Sequence, residues 1–269
     1  MKPVDEIGAL RFVDIDAMRH LTTGLTFNLR RCAEVLDEAL RSLDAKTGFP
    51  DRMRAWIVAG GFESGPGPYE GQPRIIVDVT ERLNADGQHG YFALVLQKGD
   101  ETESAPVVFL SMHSPILDIP MRVEVPLRAL LKGNPPILGT YTLYLHALLT
   151  DRGDSYTYYG ITKRGWSLRF HEHTRAAVAQ KSQRLLARTL NDLIEARVAE
   201  RMGRPDDRAR LAGLVTAICG VGMTRDMALE AEERMVEKYS LATKHPLGLN
   251  MIPGGMAGIA HVRRFAKKR

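Results

Sequence analysis

The chain has 269 residues, of which 44% are hydrophobic and 26% charged, and its formal net charge is +5. This composition excludes an intrinsically disordered chain, and the length admits one large domain or two modest ones. Two cysteines, Cys32 and Cys219, exclude a disulfide scaffold and lie in no zinc-site spacing. The N-terminal residues do not resemble a signal peptide, and no apolar run reaches the roughly 18 residues of a membrane span. We therefore expect a cytoplasmic protein with no membrane partner.

The first 135 residues predict a mixed α/β domain. Apolar residues recur every three to four positions from Leu25 to Leu43, which is typical of an amphipathic helix. Glycine and proline dominate 60–68 and predict a loop. Strands are predicted at 54–58, 74–79, 90–97, 107–112 and 121–125. No catalytic pattern stands out, so we interpret 1–135 as an accessory domain for specificity or assembly. It ends at Asn134-Pro135-Pro136, because paired prolines interrupt both helix and sheet.

Charge is distributed unevenly between the two halves. Residues 1–135 carry a net charge of −4, whereas residues 136–269 carry +9. Clustered positive charge favours an anionic polymer, because binding releases the counterions of phosphates. Two segments of the second half are rich in cations, a predicted helix at 174–201 and a basic tail at 256–269. In the helix these cations are Arg175, Lys181, Arg184, Arg188 and Arg197.

A β-hairpin followed by a helix is predicted directly after the prolines. The segment 137–145 predicts a strand, 150–154 a turn and 155–162 the antiparallel partner strand. The chain from Lys163 onward predicts a helix. On it Arg169 and His173 are four residues apart and therefore share a face.

These segments resemble the GIY-YIG nuclease family across about residues 136–255. The family has Gly-x-Tyr on one strand and Tyr-x-Gly on the next, an arginine often followed four residues later by a histidine, then a metal-binding glutamate and an asparagine. Thr140 and Tyr159 replace residues that are usually aliphatic, and a helical insertion is expected at about 175–225. The matching residues are Gly139-Thr140-Tyr141, Tyr158-Tyr159-Gly160, Arg169, His173, Glu232 within 228–236, and Asn250 after Leu249.

The resemblance implies an α/β domain with a small antiparallel sheet flanked by helices, and a metal-dependent endonuclease acting on DNA. Tyr141 or Tyr158 would activate water, once nearby arginine and a metal-bound network lower its pKa. Arg169 would steady the phosphate, because its planar fork matches phosphate geometry. Glu232 would bind Mg²⁺ or Mn²⁺, and His173 would orient the water or a tyrosine. The residues expected to contact the substrate are Lys163, Arg164 and Asn250.

Two other functions are open from the sequence. Residues 208–238 could form a helix-turn-helix of a non-catalytic DNA-binding regulator, although the second helix would be acidic and would repel phosphates. The chain could also be a nuclease-like fold that binds without cutting. Taken singly, the site residues also have ordinary structural interpretations, and Tyr144 and Tyr156 are interpreted as structural tyrosines.

Overall fold

The computed structural model describes residues 10–23, 25, 28–61, 67–68, 73–83, 88–102, 105–114, 117–204 and 207–266. Part of the predicted glycine-rich loop (62–66) and the last tail residues (267–269) lie outside these ranges. The described helices are α1 (Ile15–Thr22), α2 (Leu29–Thr47), α3 (Phe49–Val58), α4 (Leu127–Leu130), α5 (Trp166–Val178), α6 (Leu185–Arg201), α7 (Arg225–Tyr239) and α8 (Gly255–Ala266). Within the described ranges, no helix combines the length and apolar character needed to cross a bilayer.

The strands are β1 (Pro73–Leu83), β2 (His89–Thr102), β3 (Val107–Ser114), β4 (Ile119–Pro126), β5 (Tyr141–Thr150), β6 (Ser155–Thr162) and β7 (Leu211–Met223). They form one sheet in the order β2-β1-β3-β4-β7-β5-β6. The sheet is mixed, because β1 and β3 are parallel whereas β5 is antiparallel to both β6 and β7. The prediction of an α/β fold is therefore confirmed.

The chain divides into two compact units. The first comprises Met1–Met112 with Glu124–Leu138, and the second comprises His113–Val123 with Gly139–Arg269. In the first unit the predicted helix is present as α2, which packs on β1 and β2. Its start is fixed by Asn28, whose side-chain oxygen accepts a hydrogen bond from the N–H of Arg31 at 3.1 Å.

The predicted strand at 54–58 is wrong, because these residues belong to α3. The helix has Pro50 in its first turn, where a missing N–H costs nothing. Phe49, Met53 and Ile57 are buried at four-residue spacing, so they form one apolar stripe of a helix. Read over five residues alone, this segment resembles a strand, because the helical period needs a longer window.

In the second unit the predicted hairpin is confirmed, with β5 and β6 joined by a turn at Asp151–Asp154. β5 begins at Tyr141 and not at 137. Helices cover both faces of this hairpin. On one face a hydrophobic cluster includes Leu148, Leu190 and Leu214, which joins β5 and β7 to α6. On the other face Leu143 and Tyr159 pack against Ala231 and Val236 of α7.

The segment 211–223 is a strand and not a helix. The predicted helical insertion at 175–225 is therefore only partly helical. Its helix α6 ends at Arg201, and the strand β7 follows. The strand also removes the predicted helix-turn-helix at 208–238, because its first helix is absent and β7 pairs along β5 instead. Alternate residues of the segment, such as Leu214, Thr216 and Ile218, are buried with the two-residue period of a strand.

Candidate active site

The register of the β5–β6 hairpin decides which side chains meet. Tyr144 pairs with Gly160 and His146 pairs with Tyr158. Directly opposed residues project from the same face of an antiparallel pair, so Tyr144, His146 and Tyr158 share one face. A Cβ atom on Gly160 would lie 2.6 Å from the hydroxyl oxygen of Tyr144. Only glycine leaves room for the phenol at this position.

His146 is surrounded by aromatic rings on that face. Its ring centroid lies 4.7 Å from that of Tyr144 and 6.5 Å from that of Tyr158. From α5, Phe170 contributes a ring at 5.0 Å and His173 one at 6.2 Å. Burial lowers the pKa of His146 to about 3, so the imidazole is neutral at neutral pH. Sequence reasoning missed this residue, although strand alternation places it two positions from Tyr144 on the same face.

Two polar atoms of this cluster are buried and have no hydrogen-bond partner among the described residues, the Nε2 atoms of His146 and His173. The buried hydroxyl of Tyr144 interacts with the guanidinium of Arg169, although outside strict hydrogen-bond geometry. Each such group costs about 1–3 kcal/mol of desolvation. Nδ1 of His146, in contrast, lies 3.0 Å from the hydroxyl of buried Thr216. Unsatisfied buried groups of this kind occur at strained or catalytic sites more than in ordinary cores.

Helix α5 brings Arg169 and His173 to this cluster, on one face as predicted. The ring centroid of His173 lies 5.1 Å from that of Tyr158. Arg169 donates a hydrogen bond to Glu172 at 2.5 Å, and the other oxygen of Glu172 lies 2.8 Å from Arg164. Glu172 therefore fixes the guanidinium of Arg169 through a shared ion pair, which the i, i+3 spacing alone does not predict.

Glu232 belongs to α7 and lies within electrostatic reach of Tyr144, Tyr158 and Arg169. Its Oε2 accepts a hydrogen bond from the N–H of Gly255 at 2.9 Å. A Cβ atom on Gly254 would lie 2.9 Å from Cγ of Glu232, so glycine permits the close approach of this loop. Burial raises the pKa of Glu232, while the N–H of Gly255 and the charge of Arg169 oppose that rise. The carboxylate is therefore half-buried beside a fixed cation.

The phenols of Tyr144 and Tyr158 stay protonated at neutral pH, because burial raises their pKa by more than the nearby arginines lower it. Burial raises the pKa of Tyr158, the negative charge of Glu232 raises it further, and Arg169 and Arg184 only partly oppose the rise. Burial likewise raises the pKa of Tyr144. The expected lowering of the pKa by a neighbouring arginine is therefore present, but burial outweighs it. The same pairwise effects place Tyr144, Tyr158, Arg169 and Glu232 within electrostatic reach of one another.

A cleft of about 710 Å³ lies beside the cluster. It is bounded by α5, the start of α6 and residues 249–252. Its lining includes one acidic side chain, Glu172, which is already paired with two arginines. The cleft is therefore cationic. Its polar and charged lining residues are Tyr158, Arg169, Glu172, His173, Arg175, Gln180, Arg184 and Asn250.

Asn250 has a structural role and also lines the cleft, so its predicted contact with the substrate stays a prediction. Its side-chain oxygen accepts from the N–H of Tyr159 at 3.0 Å and from the hydroxyl of Ser240 at 2.7 Å. Its amide nitrogen donates to the carbonyl of Tyr159 at 2.9 Å. The side chain of Asn250 thus links the 240–250 segment to β6 through hydrogen bonds to Ser240 and Tyr159.

The other predicted substrate contacts lie at the start of α5. Lys163 and Arg164 are both exposed in the turn between β6 and α5. Lys163 does not line the cleft. Arg164 is held by Glu172 at 2.8 Å. Tyr158, Arg169 and His173 thus line one cleft, and Glu232 lies within electrostatic reach of Tyr158 and Arg169. Lys163 is not part of this cleft.

No ring contact, ion pair or hydrogen bond among the described residues joins Tyr141 to the cluster, whereas Tyr144 lies within it, at the place predicted for Tyr141. Tyr141 is the first residue of β5 and pairs with Met223 of β7. It has no contact with Arg169 or Glu232 in the described part of the chain. Tyr144 was interpreted as structural, yet its hydroxyl lies over Gly160. Counting the paired positions back from the hairpin turn would have identified Tyr144. Tyr144 lies opposite Gly160, whereas the position opposite Tyr141 lies beyond the end of β6.

Buried neutral His146 predicts a loss of stability on acidification. Its pKa is about 3 in the folded state and about 6.5 when unfolded, so the unfolded state binds the proton more tightly. Its contribution is complete above pH 6.5 and is lost as the pH falls; at pH 5 the loss is roughly 2 kcal/mol. Urea unfolding at pH 7.5 and 5.0 should show a smaller loss in His146→Phe than in wild type. Exposed His171→Asn serves as the control, and equal losses in all three proteins would contradict the prediction.

No protein-family model, curated protein or solved structure matches this chain. The functional interpretation of the site is therefore based on its geometry and electrostatics.

Proposed function

We propose that the protein is a metal-dependent endonuclease that hydrolyses DNA phosphodiester bonds. The observation that supports this most is a cationic cleft lined by Tyr158, Arg169 and His173, with the half-buried carboxylate of Glu232 within electrostatic reach of Arg169 and of the two phenols, Tyr144 and Tyr158. These groups come from four different elements, β5, β6, α5 and α7. Packing alone does not explain buried polar atoms without partners.

Arg169 is assigned to the scissile phosphate. Glu172 holds its guanidinium through one donor, at 2.5 Å. The planar fork has further N–H donors, so it can bind a phosphate oxygen at the same time. Its positive charge would stabilise the negative charge that develops on the phosphoryl oxygens.

Tyr158 and His173 are assigned to the attacking water. Tyr158 lines the cleft, and its protonated hydroxyl can accept one hydrogen bond and donate another. Burial lowers the pKa of His173 to about 4, and the charge of Arg169 lowers it too. The imidazole is therefore neutral at pH 7 and offers a lone pair for the proton that leaves the water. Tyr144, behind them, is assigned to orienting Arg169 and Glu232.

The residues present fit a hard divalent cation. Glu232 supplies one carboxylate, and the described residues contain no cluster of three or more acidic, histidine or cysteine ligands. Mg²⁺ accepts such a site, because it keeps most of its waters and binds through one or two carboxylates and phosphate oxygens. When bound, Mg²⁺ or Mn²⁺ would supply charge neutralisation at the leaving 3′ oxygen.

The test is a nicking assay on supercoiled plasmid with Mg²⁺. We expect wild type to produce open-circular DNA, and EDTA to abolish this. Arg169→Ala should reduce the rate by about 10²- to 10³-fold, because it removes the charge that faces the phosphate. Equal cutting by wild type and Arg169→Ala would contradict the assignment of Arg169. A folded wild type that binds DNA but cuts no duplex, branched or single-stranded substrate would favour the non-cutting module.

A further inference from the structure

Two arginines extend the cleft beyond the proposed reaction centre. Arg175 lies in the last turn of α5, and Arg184 immediately precedes α6. Both line the cleft and both are exposed. Neither has a side-chain ion pair in the part of the chain that the structure describes, so their positive charges are not neutralised by the protein.

Two neighbouring cations of the same segment are engaged internally, in contrast. Lys181 lies 2.6 Å from Glu195. Arg197 lies 2.7 Å from Glu200 and donates to the carbonyl of Leu117 at 3.0 Å. From the sequence alone, all these cations are expected to lie along a DNA backbone. The structure separates them, because only some of them face the cleft without an acidic partner.

The two arginines are also close enough to the reaction centre to belong to the same substrate path. Arg184 lines the cleft together with Tyr158 and His173, and its charge lowers the pKa of both. Gln180 lies between the two helices and lines the same cleft, where its amide can donate a hydrogen bond.

We propose that Arg175 and Arg184 form a phosphate subsite that holds the DNA backbone next to the scissile phosphate. This inference rests on the proposed function. Arg169 takes the phosphate that reacts, and the subsite takes a neighbouring phosphate of the same strand. Such contacts position a strand without reading its sequence, because every nucleotide presents the same phosphate.

Binding of a fluorescent 30-base-pair duplex in EDTA tests the subsite separately from cleavage. Each of Arg175→Gln and Arg184→Gln is expected to weaken binding about five- to tenfold at ~0.1 M salt. Each should also reduce the slope of log K against log salt by about one, because one phosphate contact is lost. Arg234→Gln is the matched control. This exposed arginine on α7 lines a different groove, next to Glu230 and Glu233, and its replacement should leave affinity and slope unchanged.

The outcomes distinguish the two proposals. If wild type cuts plasmid but Arg175→Gln and Arg184→Gln bind like wild type with unchanged slopes, the subsite is wrong and the nuclease proposal stands. If all three arginine variants lose the same affinity, binding depends on net charge alone, and the subsite is again wrong. If wild type neither binds nor cuts DNA, both proposals fail.

Discussion

Replacement of Glu232 with Gln is expected to reduce Mg²⁺-dependent nicking by about a thousandfold, or about 4 kcal/mol of transition-state stabilisation. Glutamine keeps the shape of the side chain and can still accept the hydrogen bond from Gly255, but it removes the charge that would hold the ion. Burial raises the pKa of Glu232, so the folded protein disfavours the ionised form. The neutral variant should therefore unfold at the same or a higher urea concentration at pH 7.5.

Glu230→Gln is the control for this change. Glu230 lies on the same helix, is exposed, and lines an acidic groove away from the tyrosines. Its replacement makes the same change in net charge and should leave nicking within about twofold of wild type, because an exposed charge far from the site contributes little. Loss of activity in both variants would indicate that activity depends on the total negative charge of α7 and not on Glu232 in particular. Full activity of Glu232→Gln would contradict the assignment of Glu232 as the metal ligand.

Replacement of Tyr144 with Phe is expected to reduce nicking at least a hundredfold with little change in the stability of the protein. The hydroxyl of Tyr144 is wholly buried and interacts with the guanidinium of Arg169. Its removal relieves a desolvation cost of about 1–3 kcal/mol, which offsets the lost interaction with Arg169. A tyrosine that serves only the core would show the reverse pattern, with activity kept. The measurements are the initial nicking rate and the midpoint of urea unfolding.

Tyr141→Phe is the matched control for that variant. It removes the hydroxyl that the sequence motif nominates, from the first residue of β5 on the β7 side. We expect full activity, because this residue lies apart from Arg169 and Glu232. A loss of activity in Tyr141→Phe with retention in Tyr144→Phe would reverse the assignment of the two tyrosines.

The hairpin and the first helix of the site could be predicted from local sequence. Turn residues flanked by aromatic and β-branched runs predict β5 and β6, and the turn fixes their pairing. Four-residue spacing predicts that Arg169 and His173 share a face of α5. Both signals survive in the structure, because they depend on contacts between residues near in sequence.

Other elements needed contacts that are remote in sequence. The apolar segment 211–223 has no local feature that separates a strand from a helix, and its pairing with β5 makes it a strand. The role of Asn250 is likewise hidden, because its partners on Tyr159 lie 91 positions away. Its internal use follows only from the close approach of the 240–250 segment to β6.

The sequence by itself determined the composition of the site, namely tyrosines on two paired strands, an arginine and histidine on one helix face, and a glutamate on a later helix. Only the tertiary structure decided which tyrosines lie beside Arg169, that His146 is buried among them, and that Arg175 and Arg184 face the cleft without acidic partners. The physical reason is that spacing along the chain fixes the direction of a side chain within its own element. Burial, pKa and free charge depend on how separate elements pack together.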